Sequence, residues 1–280
     1  MLIRMFCLLS LVLSTIFNLL LGAFDSYTWL WMLPAMALGC LLVFLLLAFL
    51  LLVVMASRVK LDVEQEKDSR VYRKVTEMYL EAALPVLRWD IKTKGMNKMP
   101  ADGRFMLVCN HVSLADPIVL LRVFSGYQMA FISKRENQTM FLIGKFMHKL
   151  LCQPINREND REALKTIIKC IQILKEDKAS VAVFPEGYIH EDKKLHHFRS
   201  GVFKIAQKAE VPIVVCTLKN TRHAISNLLH FKYNPIEASV LEVIPAEELK
   251  GQHTTDIAQR VYEIMAADLG PENVSQEENA

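Results

Sequence analysis

The sequence predicts an α/β fold: a mostly parallel central sheet flanked by helices, preceded by an N-terminal transmembrane helical hairpin. Three observations predict it. The N-terminal stretch is almost free of charge. Beyond Lys94-Gly95, short apolar runs alternate with amphipathic stretches at helical spacing. Such alternation implies parallel strands with helices on the faces of the sheet. The third observation is length, since 280 residues fit one ordinary domain plus an appendage.

Between Arg4 and Arg58 the only charged residue is Asp25. Residues 5–24 and 27–56 are apolar and uncharged. A helix needs about 20 such residues to cross a bilayer, so both segments qualify and Asp25 marks the turn. A cleaved signal sequence competes for the first segment. A second span follows at once and a small-x-small cleavage site is missing, which favours the hairpin. Arg58 and Lys60, then Arg70, Arg73 and Lys74, follow the second span. The positive-inside rule then puts the rest of the chain on the cytoplasmic face.

Residues 1–57 are thus a membrane hairpin, and residues 58–94 an amphipathic helical linker. In the linker Val71, Val75, Met78, Ala82 and Val86 recur at three- or four-residue spacing. Pro85 is expected to kink or end that helix. Its basic first half suits anionic headgroups or a solvated face equally. Residues 95–268 form the α/β domain. Expected strands cover residues 105–109, 129–133, 153–156, 180–184, 213–218 and 239–244. Expected helices cover 117–124, 139–150, 160–175, 201–208 and 256–269. Asn159 and Glu162 look like a capping box for the third helix. Leu164, Ile167, Ile168, Ile171 and Leu174 give that helix one apolar face. The polar, acidic end, residues 269–280, reads as a disordered tail.

The net charge of +3 is small and no nucleic-acid motif accompanies it. The six cysteines form no C-x-x-C pair and no zinc-ligand spacing. Cys109, Cys170 and Cys216 lie in apolar runs and read as reduced core thiols.

Ligands of such sheets bind beyond the carboxyl ends of strands. Asn110-His111-Val112-Ser113-Leu114-Ala115-Asp116 follows one strand, and Phe184-Pro185-Glu186-Gly187 follows another. On a regular helix His111 and Asp116 would point roughly 140° apart. Asp116-Pro117 breaks the chain direction, because aspartate favours the N-cap and proline the first turn. A carboxylate on one ring nitrogen fixes the tautomer and favours the imidazolium. The other nitrogen is then free to take a proton from a hydroxyl. This is the His-Asp half of a triad in which the substrate supplies the nucleophile. On these two residues alone, a helix cap beside a loop histidine is the commoner arrangement.

Glu186 and Gly187 place a carboxylate and a flexible residue at the second strand end, although Pro-Glu-Gly suits any turn. Ile155-Asn156-Arg157 sets an arginine just past a strand. It could grip a phosphate bidentately or pair with Glu158 or Asp160 on the surface. Lys134, Arg135, Lys145 and Lys149 read as ordinary solvated cations. His190, His196 and His197 with Glu191 and Asp192 lack the spacing of a metal site, so no metal is expected. His148, His223, His230 and His253 suggest no site.

Asn110-His111 with Asp116, Ile155-Asn156-Arg157, Phe184-Pro185-Glu186-Gly187 and Val211-Pro212-Ile213-Val214 occur in a distinctive order and spacing. Together they resemble the four motif blocks of the glycerolipid acyltransferases, over roughly residues 60–250. The likeness is strongest to 1-acyl-sn-glycerol-3-phosphate (lysophosphatidate) acyltransferases, whose membrane anchor the N-terminal hairpin also resembles. The resemblance implies an O-acyltransferase that makes phosphatidate. His111 is then the general base and Asp116 orients it. Arg157 binds the acceptor phosphate, and Glu186 and Gly187 position the glycerol headgroup. The 211–214 block would be a core strand beside the site. The donor would be acyl-CoA or acyl carrier protein, with no tightly bound cofactor, and the partners would be a lysophospholipid and the membrane.

Two departures bear on the acceptor. Where that family commonly has Thr-Arg-Ser after the Pro-Glu-Gly block, this chain has Tyr188-Ile189-His190. Where it has Phe-Lys-x-Gly, this chain has Phe198-Arg199-Ser200-Gly201, in which Arg199 keeps the charge for substrate binding. A different lysophospholipid or aminolipid acceptor, or a non-catalytic lipid-binding protein, are the rival readings. A thioester hydrolase lacks a serine or cysteine nucleophile motif.

Overall fold

A computed structural model describes residues 2–275 and divides the chain into two compact units, Met1–Asp62 and Val63–Ala280. In the first unit, α1 (Leu2–Leu20) and α2 (Trp29–Ser57) flank a 3-10 turn at Ala23–Asp25. Both helices are long and apolar enough to cross a membrane, which suggests membrane association. The two pack on each other through a polar stripe. Ser10, Ser14 and Asn18 recur every fourth residue and are buried. Ser14 Oγ donates to the Leu33 carbonyl at 2.6 Å, and Asn18 Nδ2 to the Ser14 carbonyl at 2.8 Å. The outer faces carry exposed leucine, valine and phenylalanine side chains. Such a distribution suits lipid outside and hydrogen bonds between helices inside.

The second unit begins with α3 (Arg70–Leu87). Its basic first half is not uniformly available to headgroups. Arg73 is buried, donates to both oxygens of Asp68 at 2.8 and 2.6 Å, and reaches the Met129 carbonyl at 3.0 Å. A bidentate pair of this kind satisfies both buried charges and ties the helix to a sheet strand. Pro85 sits in the last turn, and Arg88 closes the helix in the left-handed region at φ 56°.

There follow β1 (Trp89–Lys94), β2 (Met106–Cys109), α4 (Asp116–Val123), β3 (Met129–Lys134), α5 (Ile143–Lys149), β4 (Gln153–Ile155), α6 (Asp160–Lys175) and β5 (Ser180–Val183). The chain then runs through α7 (Lys204–Ala209), β6 (Ile213–Lys219), α8 (Ala224–Leu229), β7 (Asn234–Ile244), α9 (Ala246–Leu249) and α10 (Thr254–Leu269). The sheet order is β1-β7-β6-β2-β5-β3-β4, parallel throughout except for the antiparallel β6–β7 pair.

Strand β2 lies inside the sheet and is fully buried. Met106 and Val108 face a core with Ile173, Phe203, Val261 and Met265. Leu107 and Cys109 face the opposite core with Val119, Leu120 and Phe124. Two-sided burial explains why the strand is apolar at every position. Truncating Leu107, which has no exposed surface, removes about 2–5 kcal/mol of stability.

Three sequence expectations need correction. Residues 89–94 are an edge strand paired with β7, not the end of a helical linker. Lysines and a threonine alternate there, as an exposed edge tolerates. Gly95 ends the strand at φ 69°, where a Cβ would lie 2.1 Å from the Val240 carbonyl oxygen. Strand β7 begins at Asn234, five residues before the expected start at 239. The first part of the expected tail is ordered. Pro271–Asn273 form a 3-10 turn, and Val274 bridges Leu195, so residues 271–275 belong to the fold. Residues 276–280 of the expected tail lie outside the described residues. The capping expectation at α6 holds in half: Asn159 Oδ1 accepts from the Glu162 amide, while Glu162 itself turns to Asn156 Nδ2.

Candidate active site

The loop leaving β2 is fixed from three directions. Asn110, 1% exposed, pairs with the backbone of Leu218 on β6: its Oδ1 accepts from the amide at 2.8 Å and its Nδ2 donates to the carbonyl at 3.1 Å. Asp116 enters α4 as its first residue rather than as the cap. Its Oδ2 accepts from the Val112 and Ser113 amides, both at 2.8 Å, and from His111 Nδ1 at 2.9 Å. The turn that the sequence required between His111 and Asp116 is therefore held by the same oxygen that meets the ring. Asp116 is fully buried. Its Oδ1 is buried too and has no hydrogen-bond partner among the described residues.

The third support is Glu186. Its Oε1 accepts from the His111 amide at 2.7 Å and its Oε2 from the His196 amide at 3.0 Å. With 2% of its surface exposed, Glu186 is almost wholly buried. It pins the backbone of His111 from the end of β5. Burial pushes its carboxyl up to about 8, against the pull of the two amides and with the help of Asp116 and Asp192.

The His111 ring stacks on Phe184 at 4.1 Å and 18°. Nδ1 faces an acidic oxygen and so carries a proton. Nε2 has no protein partner among the described residues, and the side chain is 15% exposed. A fixed ring with an open Nε2 can accept a proton from a bound hydroxyl.

A second group gathers on the β5–β4 side. Arg157 follows β4 and is partly buried. Burial and the neighbouring Arg199 both lower its pKa, with Glu136 opposing. The surface pair with Glu158 or Asp160 does not form among the described residues. Arg199 is tied by its amide to the Pro185 carbonyl at 3.0 Å. It runs past Gly187, whose φ is 89° and whose Cβ, if present, would lie 3.1 Å from Arg199 Nε. Two guanidiniums in mutual repulsion, with no carboxylate within ion-pair distance among the described residues, make a place for an anion. The 211–214 block enters β6 beside β2, with Val214 opposite Leu107.

Tyr188, His190 and His196 form an aromatic run. Tyr188 lies 4.3 Å from His190, which stacks on His196 at 3.5 Å. His196 Nε2 meets Asp192 at 2.9 Å, and His197 stacks on Tyr262 at 5.2 Å. The sequence reading missed the Phe184 stack and the Asn110 pairing. Phe184 opens the Phe-Pro-Glu-Gly block, but nothing in a linear pattern reveals that it meets an imidazole.

Residues 90–219 match the family model described as Acyltransferase. A relative named 1-acyl-sn-glycerol-3-phosphate acyltransferase BAT2, chloroplastic, from Brassica napus is 34% identical over 138 residues, which are 49% of this chain and 39% of that protein. The 1-acyl-sn-glycerol-3-phosphate acyltransferase of Bacillus subtilis is 28% identical over 64% of this chain and 89% of its own length. That of Saccharomyces cerevisiae is 29% identical over 66% and 61%. This chain spans about two fifths of the length of the plant relative. The crystal structure of PlsC, the 1-acyl-sn-glycerophosphate acyltransferase from Thermotoga maritima, superposes with a TM-score of 0.60 at 21% identity. It covers 82% of this chain and 98% of that one, and the two share a fold. Residues 90–219 are thus a domain of the acyltransferase family, the kinship that the four motif blocks carry.

Proposed function

We propose that the protein is an O-acyltransferase that moves an acyl chain from acyl-CoA or acyl carrier protein to the free hydroxyl of 1-acyl-sn-glycerol 3-phosphate. The product is phosphatidate. The observation that carries the reading is the His111–Asp116 pair, 2.9 Å apart, with Nε2 left open. Relatives bearing that enzyme's name support the choice of acceptor.

In this mechanism His111 Nε2 removes the proton of the acceptor hydroxyl as its oxygen attacks the thioester carbonyl. Asp116 stays ionised, holds the tautomer and stabilises the imidazolium. The tetrahedral oxyanion collapses, the C–S bond breaks, and the proton passes from Nε2 to the departing sulfur. The new ester and a free thiol result. The amides of His111, Val112 and Ser113 are engaged by Glu186 and Asp116, so donors to the oxyanion come from other groups. Arg157 and Arg199 bind the acceptor phosphate. Gly187 keeps room for Arg199, and Glu186 acts as a positioning residue through the His111 backbone.

No metal is assigned a role. The two apolar helices and the cations that follow them support a membrane hairpin with the catalytic unit on the cytoplasmic face. A tether of this kind keeps the enzyme near a surface where amphiphilic substrate and product both reside.

One observation favours a second acceptor. Tyr188, an exposed aromatic, follows Gly187 in place of a small polar residue. An acceptor panel decides. Full-length enzyme in detergent receives acyl-CoA or acyl carrier protein with lysophosphatidate, other lysophospholipids or an aminolipid. Turnover of lysophosphatidate at least tenfold above the rest supports the reading. Preference for another acceptor overturns the substrate while keeping the reaction.

A further inference from the structure

Beside the His111 loop lies a second, unassigned recess. Asn110 and Val112, the neighbours of His111, form one wall of a cavity of about 330 Å³. Small-ligand sites begin at about this size. Its other walls come from the 193–195 segment, the end of β6 and the chain after α10. Strand β2 lies between β5 and β6, and the cavity takes its lining from the end of β6 and from the loop after β5, the loop that farther on carries Arg199.

The cavity lining holds three cations, Lys193, Lys219 and Arg222, and two carboxylates, Asp268 and Glu272. Arg222 Nη2 donates to the Asp192 and Lys193 carbonyls at 2.9 and 2.7 Å, and Lys193 Nζ to the Arg222 carbonyl at 3.3 Å. Carbonyls orient the two cations without neutralising them. Among the described residues neither has a carboxylate within ion-pair distance. The third cation in the wall, Lys219, is matched by Asp268 at 3.0 Å. Glu272 is exposed and accepts from Asn273 Nδ2. Lys193 and Asn220 both hold left-handed backbone, at φ 53° and 66°. Such strain in non-glycine residues gathers at ligand sites.

The rest of the lining mixes amides with leucines. Asn220 and Asn273 spend Nδ2 on the Pro235 and Leu269 carbonyls at 3.0 and 2.8 Å. Their Oδ1 atoms have no protein donor among the described residues and can each accept an N–H.

We propose that this cavity takes the phosphopantetheine arm of the thioester donor. That arm has two amide N–H groups, apolar carbons between them, a phosphate at one end and the reacting sulfur at the other. Its phosphate meets Lys193 and Arg222, its amides meet Asn220 and Asn273, and its thioester reaches His111. The inference rests on the transferase reading and assigns the donor's place within it.

The test compares full-length wild type, Lys193→Gln, Lys193→Arg and Arg222→Gln in detergent. Each receives acyl-CoA, acyl carrier protein, or acyl-N-acetylcysteamine, a thioester without the phosphate. Loss of one charged contact is expected to lower kcat/KM about tenfold more for the two phosphopantetheine donors than for the truncated thioester. Lys193→Arg restores most of it. Equal losses on all three donors would mean that the residues only brace the loop, and would overturn the site. So would a rise in KM for lysophosphatidate instead of the donor. A loss on acyl-CoA alone would move the contact to its nucleotide phosphates and overturn the shared-arm assignment. No thiol release by wild type with any donor and acceptor defeats the transferase reading itself, a result distinct from all of these.

Discussion

Replacing Asp116 with asparagine separates two roles that a catalytic carboxylate usually combines. In this loop Oδ2 accepts from two backbone amides as well as from His111. Those amides can only donate. The asparagine oxygen therefore takes the Oδ2 place, and Nδ2 takes the place of Oδ1. Oδ1 is already without a partner among the described residues, so one unpartnered atom replaces another and the folding cost is small. The ring still meets an acceptor at Nδ1, its tautomer is kept, and only the charge is lost. A charge-assisted hydrogen bond exceeds a neutral one by about 1–2 kcal/mol. Unit charges 4 Å apart interact by about 4 kcal/mol at an effective dielectric constant of 20. These bracket a fall in kcat of about 10- to 1,000-fold. Asp116→Ala also releases both amides and the ring, and is expected to fall further. Single-turnover thiol release, with Tm as a folding control, measures the ladder. Asparagine as damaging as alanine would refute the argument that the amides dictate the amide orientation.

Glu186 gives a pH-dependent stability. Its folded pKa near 8 lies above the ordinary 4.5, so the folded state holds the extra proton between those values. Its contribution is full below about pH 4.5 and lost as pH rises through 8. Denaturant unfolding of the detergent-solubilised protein is expected to lose more stability over that range in wild type than in Glu186→Gln, and parallel curves would contradict the burial argument. Arg157→Met is expected to raise KM for lysophosphatidate about 10- to 100-fold, with little change in the KM of the donor. An unchanged acceptor KM would remove Arg157 from the phosphate site. Gly187→Ala puts a Cβ at φ 89° beside Arg199 Nε. It is expected to cost about 1–2 kcal/mol and to raise acceptor KM, read by Tm and steady-state kinetics. Burial pushes the Cys152 thiol up to about 11 and the Cys109 and Cys170 thiols well above their usual value. Alkylation of all three in the native protein is therefore expected to be slow.

The parallel sheet was legible because β2, β5 and β6 are buried on both faces and so are apolar throughout. Strand β1 was not, because Trp-Asp-Ile-Lys-Thr-Lys is an edge whose partner, β7, lies some 140 residues later. Local pattern carries no trace of such pairing. His111 and Asp116 were legible as a pair because proline and aspartate signal a turn. Glu186 was found, but its contact with the His111 amide spans 75 residues, so its task was invisible. The Lys193–Arg222 recess is built from loops of three elements around main-chain carbonyls, and side-chain patterns do not encode main-chain acceptors.

The central claim is that His111 takes the acceptor proton during acyl transfer. The most direct test measures thiol release and phosphatidate formation together, in purified full-length wild type and His111→Ala, with and without lysophosphatidate. The account predicts one phosphatidate per thiol, no release without acceptor, and loss of both in a variant that keeps the wild-type Tm. Equal turnover in folded His111→Ala would contradict it.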